Sequence, residues 1–541
     1  MLEDLIESVG SCGKFQWMVV FLIMASKMVF GPSMLIMSYG GMIPDWWCVS
    51  KEDETMSVDS MNSSIISYQI CNATSVCSRI YESHTRTVVS KFDLVCDNEW
   101  IKPTVTSVQM VGVLFGAFIG GQSGDTFGRK KTIYAAILLH AICNIIAAFS
   151  VNWQMFAAFR FLIGGCLGTY LVLVVYPLEF IGIKRRALIS SLPFWTIGVL
   201  FFALATYLIH DWKTLHILIG ALTFPFVLGW FLVPESLRWL ATKGKLEEAK
   251  LVIHKIARFN GTKVPDNAEA ILRKVAEMEL RTNEGEKKYT YIDVYRGFPM
   301  IKKSLCLNYI WFSCSAIYYG FSFGVSNFSG NFYLNFFLMN VIELSAFFPV
   351  IYLLGKIGRR FTCVLALALA ASSCIAALIA QEVNDESKGP FITGVSLLAK
   401  IFTGGSWVAL ILLTNESYPT VIRYLGYGAN NTMARIGGIL APFIFGLGSH
   451  RMVPYVIMAV LMVTSGICGL LLQETKDLAM ADLIENGVEK DTREKEESSV
   501  YKISRGLDSS GIASTVGEKS TISDELIKPA SLKDIEYNTQ M

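Results

Sequence analysis

Apolar runs of about twenty residues, the length a helix needs to cross about 30 Å of hydrocarbon, recur twelve times along this chain of 541 residues. They occupy 15–36, 104–121, 132–150, 155–176, 187–209 and 215–233 in the first half, then 305–323, 333–354, 362–380, 391–413, 426–447 and 453–472. A hydrocarbon layer offers no water to the peptide groups, so each run must satisfy its backbone internally and reads as a transmembrane helix. With 52% hydrophobic and 17% charged residues, and a mean hydropathy of +0.45, the chain carries more apolar surface than a soluble core could hide. The expected fold class is an all-α integral membrane protein.

The stretch Gly-Gln-Ser-Gly-Asp-Thr-Phe-Gly-Arg-Lys at 121–130 returns, weakened, as Gly-Lys-Ile-Gly-Arg-Arg at 355–360, again directly after an apolar run. A basic glycine-rich turn repeated half a chain later indicates two parallel repeats. Arg129, Lys130 and Lys131, then Lys184, Arg185 and Arg186, then Arg359 and Arg360 follow even-numbered runs, and Arg423 precedes the eleventh. Short loops rich in Lys and Arg stay cytoplasmic. The expected organisation is a cytoplasmic amino terminus over 1–14, a six-helix half over 15–233 with an extracellular loop at 37–102, and a cytoplasmic linker over 234–303. A second six-helix half over 304–473 and a cytoplasmic tail over 474–541 follow. Charge alternating with apolar residues at 246–259 and 268–280 predicts short amphipathic linker helices. The tail, rich in Ser, Glu, Lys and Asp, is expected to be disordered.

A formal net charge of +2 offers no basic field for nucleic acid. There is no Gly-Lys-Ser/Thr nucleotide loop, no His-Glu-x-x-His and no Cys-x-x-Cys. Neither a metal nor an organic cofactor is expected, and no covalent chemistry. The outer loop holds Cys48, Cys71, Cys77 and Cys96, four cysteines that allow two disulfides in three pairings. It also holds glycosylation sequons at Asn62 and Asn72, whereas the sequon at Asn260 falls in the cytoplasmic linker.

Five segments then carry a family resemblance: Asp45-Trp46-Trp47-Cys48, Phe92-Asp93-Leu94-Val95-Cys96, Arg160-Phe161-Leu162, Pro234-Glu235-Ser236-Leu237-Arg238-Trp239-Leu240 and Glu416-Ser417-Tyr418-Pro419-Thr420-Val421-Ile422-Arg423. Together they resemble the organic ion transporters of solute carrier family 22, within the major facilitator superfamily, over nearly the whole chain before the tail. The resemblance implies twelve transmembrane helices in two six-helix halves, alternating access, residence in the plasma membrane and a small organic ion bound between the halves. Two residues depart from the pattern. Thr126 stands where the family usually has an arginine beside the motif aspartate, and Gly355 replaces the acidic residue of the second turn.

At the inner turns, Asp125 is expected to meet a helix end or a basic residue, and Arg129 and Lys130 to pair with carboxylates such as Glu179 or Glu235. Arg238, Arg359, Arg360, Glu416 and Arg423 complete the expected gating charges. Lys27, Glu343, Lys400 and Arg435 lie deep inside apolar runs, each at a cost of about 2.5 to 3.5 kcal/mol. Three cations against one anion leave surplus positive charge even if Glu343 pairs with Lys400 or Arg435, and an anionic substrate group would compensate it.

The resemblance sharpens this reading. In Thr432-Met433-Ala434-Arg435-Ile436-Gly437-Gly438, Arg435 stands where anion and zwitterion carriers have arginine and cation carriers have aspartate, while Phe347 stands where organic anion members carry lysine. Glu343 with Arg435 therefore resembles the carnitine and zwitterion branch, Arg435 taking the carboxylate and Glu343 the cationic end. Tyr318 and Tyr319 match the family's paired tyrosines. With Trp195, Phe194 and Trp407 they offer faces to a quaternary ammonium, each worth about 0.5 to 2 kcal/mol. The expected function is transport of small carboxylate-bearing zwitterions or organic anions, with an organic cation uniporter and a non-transporting membrane receptor as alternatives. Sodium coupling and counter-transport of a second solute are both compatible with it. Gly31-Pro32, Gly164-Gly165, Gly404-Gly405 and Gly437-Gly438 read as hinges or packing notches, and the terminal Thr539-Gln540-Met541 weakly matches a ligand for a peptide-binding scaffold domain.

Overall fold

A computed structural model describes residues 2–50, 66–68, 71, 77–182, 185–186, 189, 192–285, 290–382, 388–419, 422–446 and 452–476. All twelve apolar runs appear as helices: α1 (Lys14–Gly40), α2 (Ile101–Phe127), α3 (Arg129–Ala147), α4 (Trp153–Leu173), α5 (Phe194–Leu208) and α6 (Trp212–Leu232). The second half supplies α7 (Phe298–Phe323), α8 (Phe332–Lys356), α9 (Arg359–Glu382), α10 (Lys388–Ser417), α11 (Arg423–Ile444) and α12 (Val453–Leu470). Among the described residues nine are long and apolar enough to cross a membrane. The other three are α5, α7 and α11. Helix α5 has 15 residues and starts directly after Pro193. Helices α7 and α11 fall short in composition rather than length, since they carry Asn308, Tyr318 and Tyr319, and Asn430, Asn431 and Arg435.

Helix α1 is broken between Met24 and Lys27, and Pro32 lies inside its second segment. The glycine pairs act as packing notches. A Cβ on Gly164 of α4 would collide with the Gln109 carbonyl of α2, and one on Gly437 of α11 with the Phe312 carbonyl of α7. Backbones that meet this closely associate through van der Waals contact where lipid leaves no hydrophobic drive.

The halves meet where α2 packs on α11 and α5 on α8. Ser107 Oγ donates to the Ile439 carbonyl at 2.6 Å, and Ser38 Oγ to the Ser322 carbonyl at 2.7 Å. Ring contacts of Phe202 with Phe336 and Tyr207 with Tyr333 join α5 to α8. These contacts cluster toward the end that carries the loop between α1 and α2.

That loop is a small antiparallel sheet of β1 (Trp46–Ser50), β2 (Ile66–Tyr68) and β3 (Cys77–Tyr81), in the order β2-β1-β3. Cys71 and Cys96 form a disulfide, and Cys48 is also disulfide-bonded. Asp93 ties the sheet down by accepting from Arg79 and Tyr81, both at 2.6 Å. Asn62 and Asn72 lie outside the described residues, as do most of the tail and Thr539-Gln540-Met541.

The linker forms the helices Leu246–Asn260 and Ala268–Gly285. It is anchored rather than a free tether. Asn260 accepts from the Phe15 N–H and donates to the Val9 carbonyl, both at 3.0 Å, so the discounted sequon asparagine is committed to packing.

Candidate functional site

Helices α5, α7, α8, α10 and α11 link Trp195, Tyr318, Tyr319, Glu343, Lys400 and Arg435 in one chain of contacts between the halves, and α1 carries Lys27. Glu343 on α8 is buried, accepts from the Tyr318 hydroxyl at 2.9 Å, and lies 3.1 Å from Lys400 Nζ. Neither Lys400 Nζ nor Glu343 Oε2 has a hydrogen bond of good geometry, so the contact is coulombic rather than a directed bond. The Lys400 ammonium also stands 4.9 Å from the centre of the Tyr318 ring. Of the two partners foreseen for Glu343, the structure selects Lys400.

Arg435 on α11 is half-buried and bonds to the Tyr319 hydroxyl, while its Nε is buried without a hydrogen-bond partner among the described residues. Lys27, half-buried where α1 breaks, has no described carboxylate partner. Trp195 at the start of α5 reaches the Tyr318 hydroxyl and packs over Gly31. Tyr318 and Tyr319 meet edge to face at 5.3 Å. Of the other expected aromatics, Trp407 packs edge-on against Trp311, which also meets Tyr427, and Phe194 joins a small cluster with Val20, Met24, Ile181 and Ile189.

At the opposite end from the sheet, each half holds a carboxylate cluster around its basic turn. In the first, Arg129 contacts Asp125 at 3.0 Å and Glu179 at 3.3 Å, and Ser236 donates to Glu179. Glu235 accepts the Lys130 backbone N–H at 3.0 Å, capping α3. The Lys130 ammonium instead lies over the Trp230 ring at 4.9 Å. Gly128 has φ +108°, a conformation favouring glycine, and a Cβ there would strike the Glu235 carboxylate.

The second half repeats this arrangement. Arg359 contacts Glu416 at 3.1 Å, Thr475 donates to Glu416 at 2.6 Å, and Glu474 accepts the Arg359 and Arg360 backbone N–H groups at 2.8 and 3.1 Å. Gly358, with φ +99°, leaves the room that Gly128 leaves in the first half. Arg360 donates to the Leu470 carbonyl, Arg238 is exposed on the helix Leu237–Thr242, and Arg423 opens α11. These ion pairs lie within each half.

A model of the sugar (and other) transporter family matches residues 66–485. The chain belongs to that family. Among similar proteins, the organic cation transporter protein of Drosophila melanogaster is 31% identical over 427 residues, covering 77% of each chain. Human organic cation/carnitine transporter 2 is 30% identical over 407 residues, covering 74% of this chain and 71% of its own. The inward-open xylose transporter XylE of E. coli shares the fold, with a TM-score of 0.60 at 14% identity over 86% of this chain and 98% of XylE. The protein is a multi-pass membrane transporter of the solute carrier 22 type with the major facilitator fold, not an enzyme.

Two parts of this transporter's polar framework escape the sequence reading. Glu474 falls in the stretch assigned to the tail, yet it caps α9. Its signal is internal: Gln473-Glu474-Thr475 repeats Pro234-Glu235-Ser236 after the sixth helix of each half. Arg160 is a fifth charge inside an apolar run, fully buried on α4, donating to the Ser33 carbonyl at 3.1 Å and to the Gln109 side chain. The rule that selects Lys27 and Arg435 selects it too.

Proposed function

We propose that this transporter moves small carboxylate-bearing organic ions, carnitine-like zwitterions or organic anions, across the plasma membrane by alternating access, with the basic turns and both termini cytoplasmic. The observation that carries the proposal is how the charges inside the apolar runs are paired. Glu343 is committed to Lys400 and Tyr318, so Arg435 and Lys27 remain as cations without a described carboxylate. A substrate carboxylate is the group that would compensate them, and the planar guanidinium of Arg435 suits it as a two-point donor. Tyr318, Tyr319 and Trp195 supply the adjoining aromatic wall for a cationic end. A relative named for organic cation and carnitine transport supports the zwitterion within this class, and one named for organic cation transport alone supports the cationic alternative. Sodium coupling or counter-transport would use the same alternating cycle.

The test is uptake into proteoliposomes of a zwitterion and of its esterified, purely cationic analogue. Arg435→Lys should weaken zwitterion uptake less than Arg435→Ala does, and Arg435→Asp should turn the ratio toward the ester. An unchanged ratio across the three variants refutes the assignment, and absence of any wild-type uptake favours a non-transporting receptor.

A further inference from the structure

A crevice of about 670 Å³ opens on the flank of the first half between α2, α3 and α4, and its lining includes none of the residues gathered between the halves. Its origin is steric. Gly112 and Gly116 draw α2 so close to α4 that a Cβ on either would collide with the Phe161 or Gly165 carbonyl, and α3 contributes the small Ala135 and Ala136 to the lining. No side chain fills the space between. Phe115, Ile119, Leu139 and Phe161 wall it, each partly exposed where the bundle meets hydrocarbon. The volume falls in the range of sites that enclose a ligand, and the lining is almost wholly apolar.

One end is different. The turn between α2 and α3 places three cations in succession, and two of them are occupied: Arg129 by Asp125 and Glu179, Lys130 by the Trp230 ring. Lys131, the third, is exposed, has no partner among the described residues, and lines the mouth of the crevice. A long apolar slot open to the bilayer, with one free ammonium at the interface end, matches a lipid chain bearing a negative head.

We propose that this crevice binds one acyl chain of an anionic phospholipid, with the headgroup phosphate on Lys131. The assignment to the cytoplasmic leaflet rests on the proposed sidedness of the basic turns. A charged substrate of the central region would gain nothing in an apolar slot, and a zwitterionic lipid would offset its own attraction to Lys131.

The purified full chain, released into the gas phase with phosphatidylserine or phosphatidylcholine of matched chains, tests the site by native mass spectrometry. Wild type should retain phosphatidylserine about fivefold over phosphatidylcholine, the ratio that one interfacial cation supplies. Lys131→Gln should bring the two lipids level, and Ala135→Trp, which fills the slot from an exposed position, should lower both. Arg435→Ala should leave retention unchanged. Equal retention of both lipids by wild type, or a preference that survives Lys131→Gln, overturns the proposal. So does displacement of phospholipid by cholesterol with no effect of Lys131→Gln, which would make the slot a sterol site. Sidedness is read separately, by labelling Lys131→Cys with a membrane-impermeant maleimide from either side of a vesicle against a wild-type blank. Binding with outside labelling would refute the leaflet alone.

Discussion

Breaking the Glu343–Lys400 pair one partner at a time tests how the charges between the halves are divided. Lys400 is 1% exposed and its ammonium stands 3.1 Å from Glu343 Oε2. Glu343→Gln leaves that ammonium facing a neutral amide, and Lys400→Met leaves a carboxylate supported by the Tyr318 hydroxyl. Removing one member of a buried pair costs about 3 to 5 kcal/mol. Because the contact lacks hydrogen-bond geometry and Glu343 keeps 11% of its side chain exposed, the lower end, about 3 kcal/mol, is expected for either single change. Glu343→Gln with Lys400→Met removes both charges together and should fall within about 1 kcal/mol of wild type, a strongly non-additive result. Thermal unfolding of a fluorescently tagged, detergent-extracted protein gives the stability ranking, and uptake at equal reconstitution gives the functional one. Lys400→Met should also raise ester uptake relative to zwitterion uptake, since it frees an anion beside the aromatic wall. A double variant losing the sum of the two single losses would show that the residues do not interact, and with that the surplus-charge reasoning behind Arg435 would fail.

Three further outcomes are expected. Desolvation raises the Glu474 pKa, but the backbone N–H groups of Arg359, Lys476, Arg360 and Thr475 outweigh it and hold the carboxyl below its ordinary 4.5. Its contribution should therefore be complete at neutral pH and lost as pH falls through the depressed value, so wild type and Glu474→Gln should differ in unfolding temperature at pH 7 and converge in acid; a constant gap would refute the capping role. Asp125→Asn and Arg129→Gln should slow turnover at matched expression while apparent affinity stays within about twofold, because they change a conformational equilibrium rather than the binding region; unaltered turnover in both would remove the turn from the mechanism. Glycosidase treatment should lower the apparent mass of the protein expressed in cells, and Asn62→Gln with Asn72→Gln should abolish that shift; a residual shift would place the glycan elsewhere.

The fold was legible because hydrocarbon permits so few backbone solutions: twelve apolar runs became twelve helices, though α7 and α11 are the least apolar of their kind for a reason that bears on function. Of the polar side chains that weaken their membrane signature, Tyr318, Tyr319 and Arg435 gather between the halves, whereas Asn308 and Asn430 bond to Tyr295 and Tyr418. The buried charges could be found by residue type alone, but their pairing could not, because Glu343 had two cations in reach by sequence and only the packing of α8 against α10 brings it to Lys400. Arg160 shows the opposite limit. Its type and position marked it as clearly as Lys27, yet it is enclosed among α1, α2 and α4, where it fastens the Ser33 carbonyl one residue after Pro32.

The duplicated clusters at the basic turns suggest where such a molecule stays rigid and where it yields. Glu235 and Glu474 each cap the first turn of a helix that follows a positive-φ glycine, and Glu179 and Glu416 each hold the arginine beside it. Charge-assisted bonds to backbone N–H groups are stronger than exposed ion pairs, so the caps fasten each half into a unit while the Asp125–Arg129 contact, with Asp125 74% exposed, adds little to stability and is free to change as the halves move. The contacts joining the halves are of another kind: among the described residues they include two serine hydroxyls on carbonyls, the Trp195–Tyr318 bond and several aromatic edges, which can part and re-form at small cost. Rocking of two firmly capped halves about such an interface needs no helix to unfold. It also predicts that Glu235→Gln and Glu474→Gln together disturb folding of both halves, whereas Ser107→Ala with Ser38→Ala shifts the balance between the two facing states with stability nearly intact.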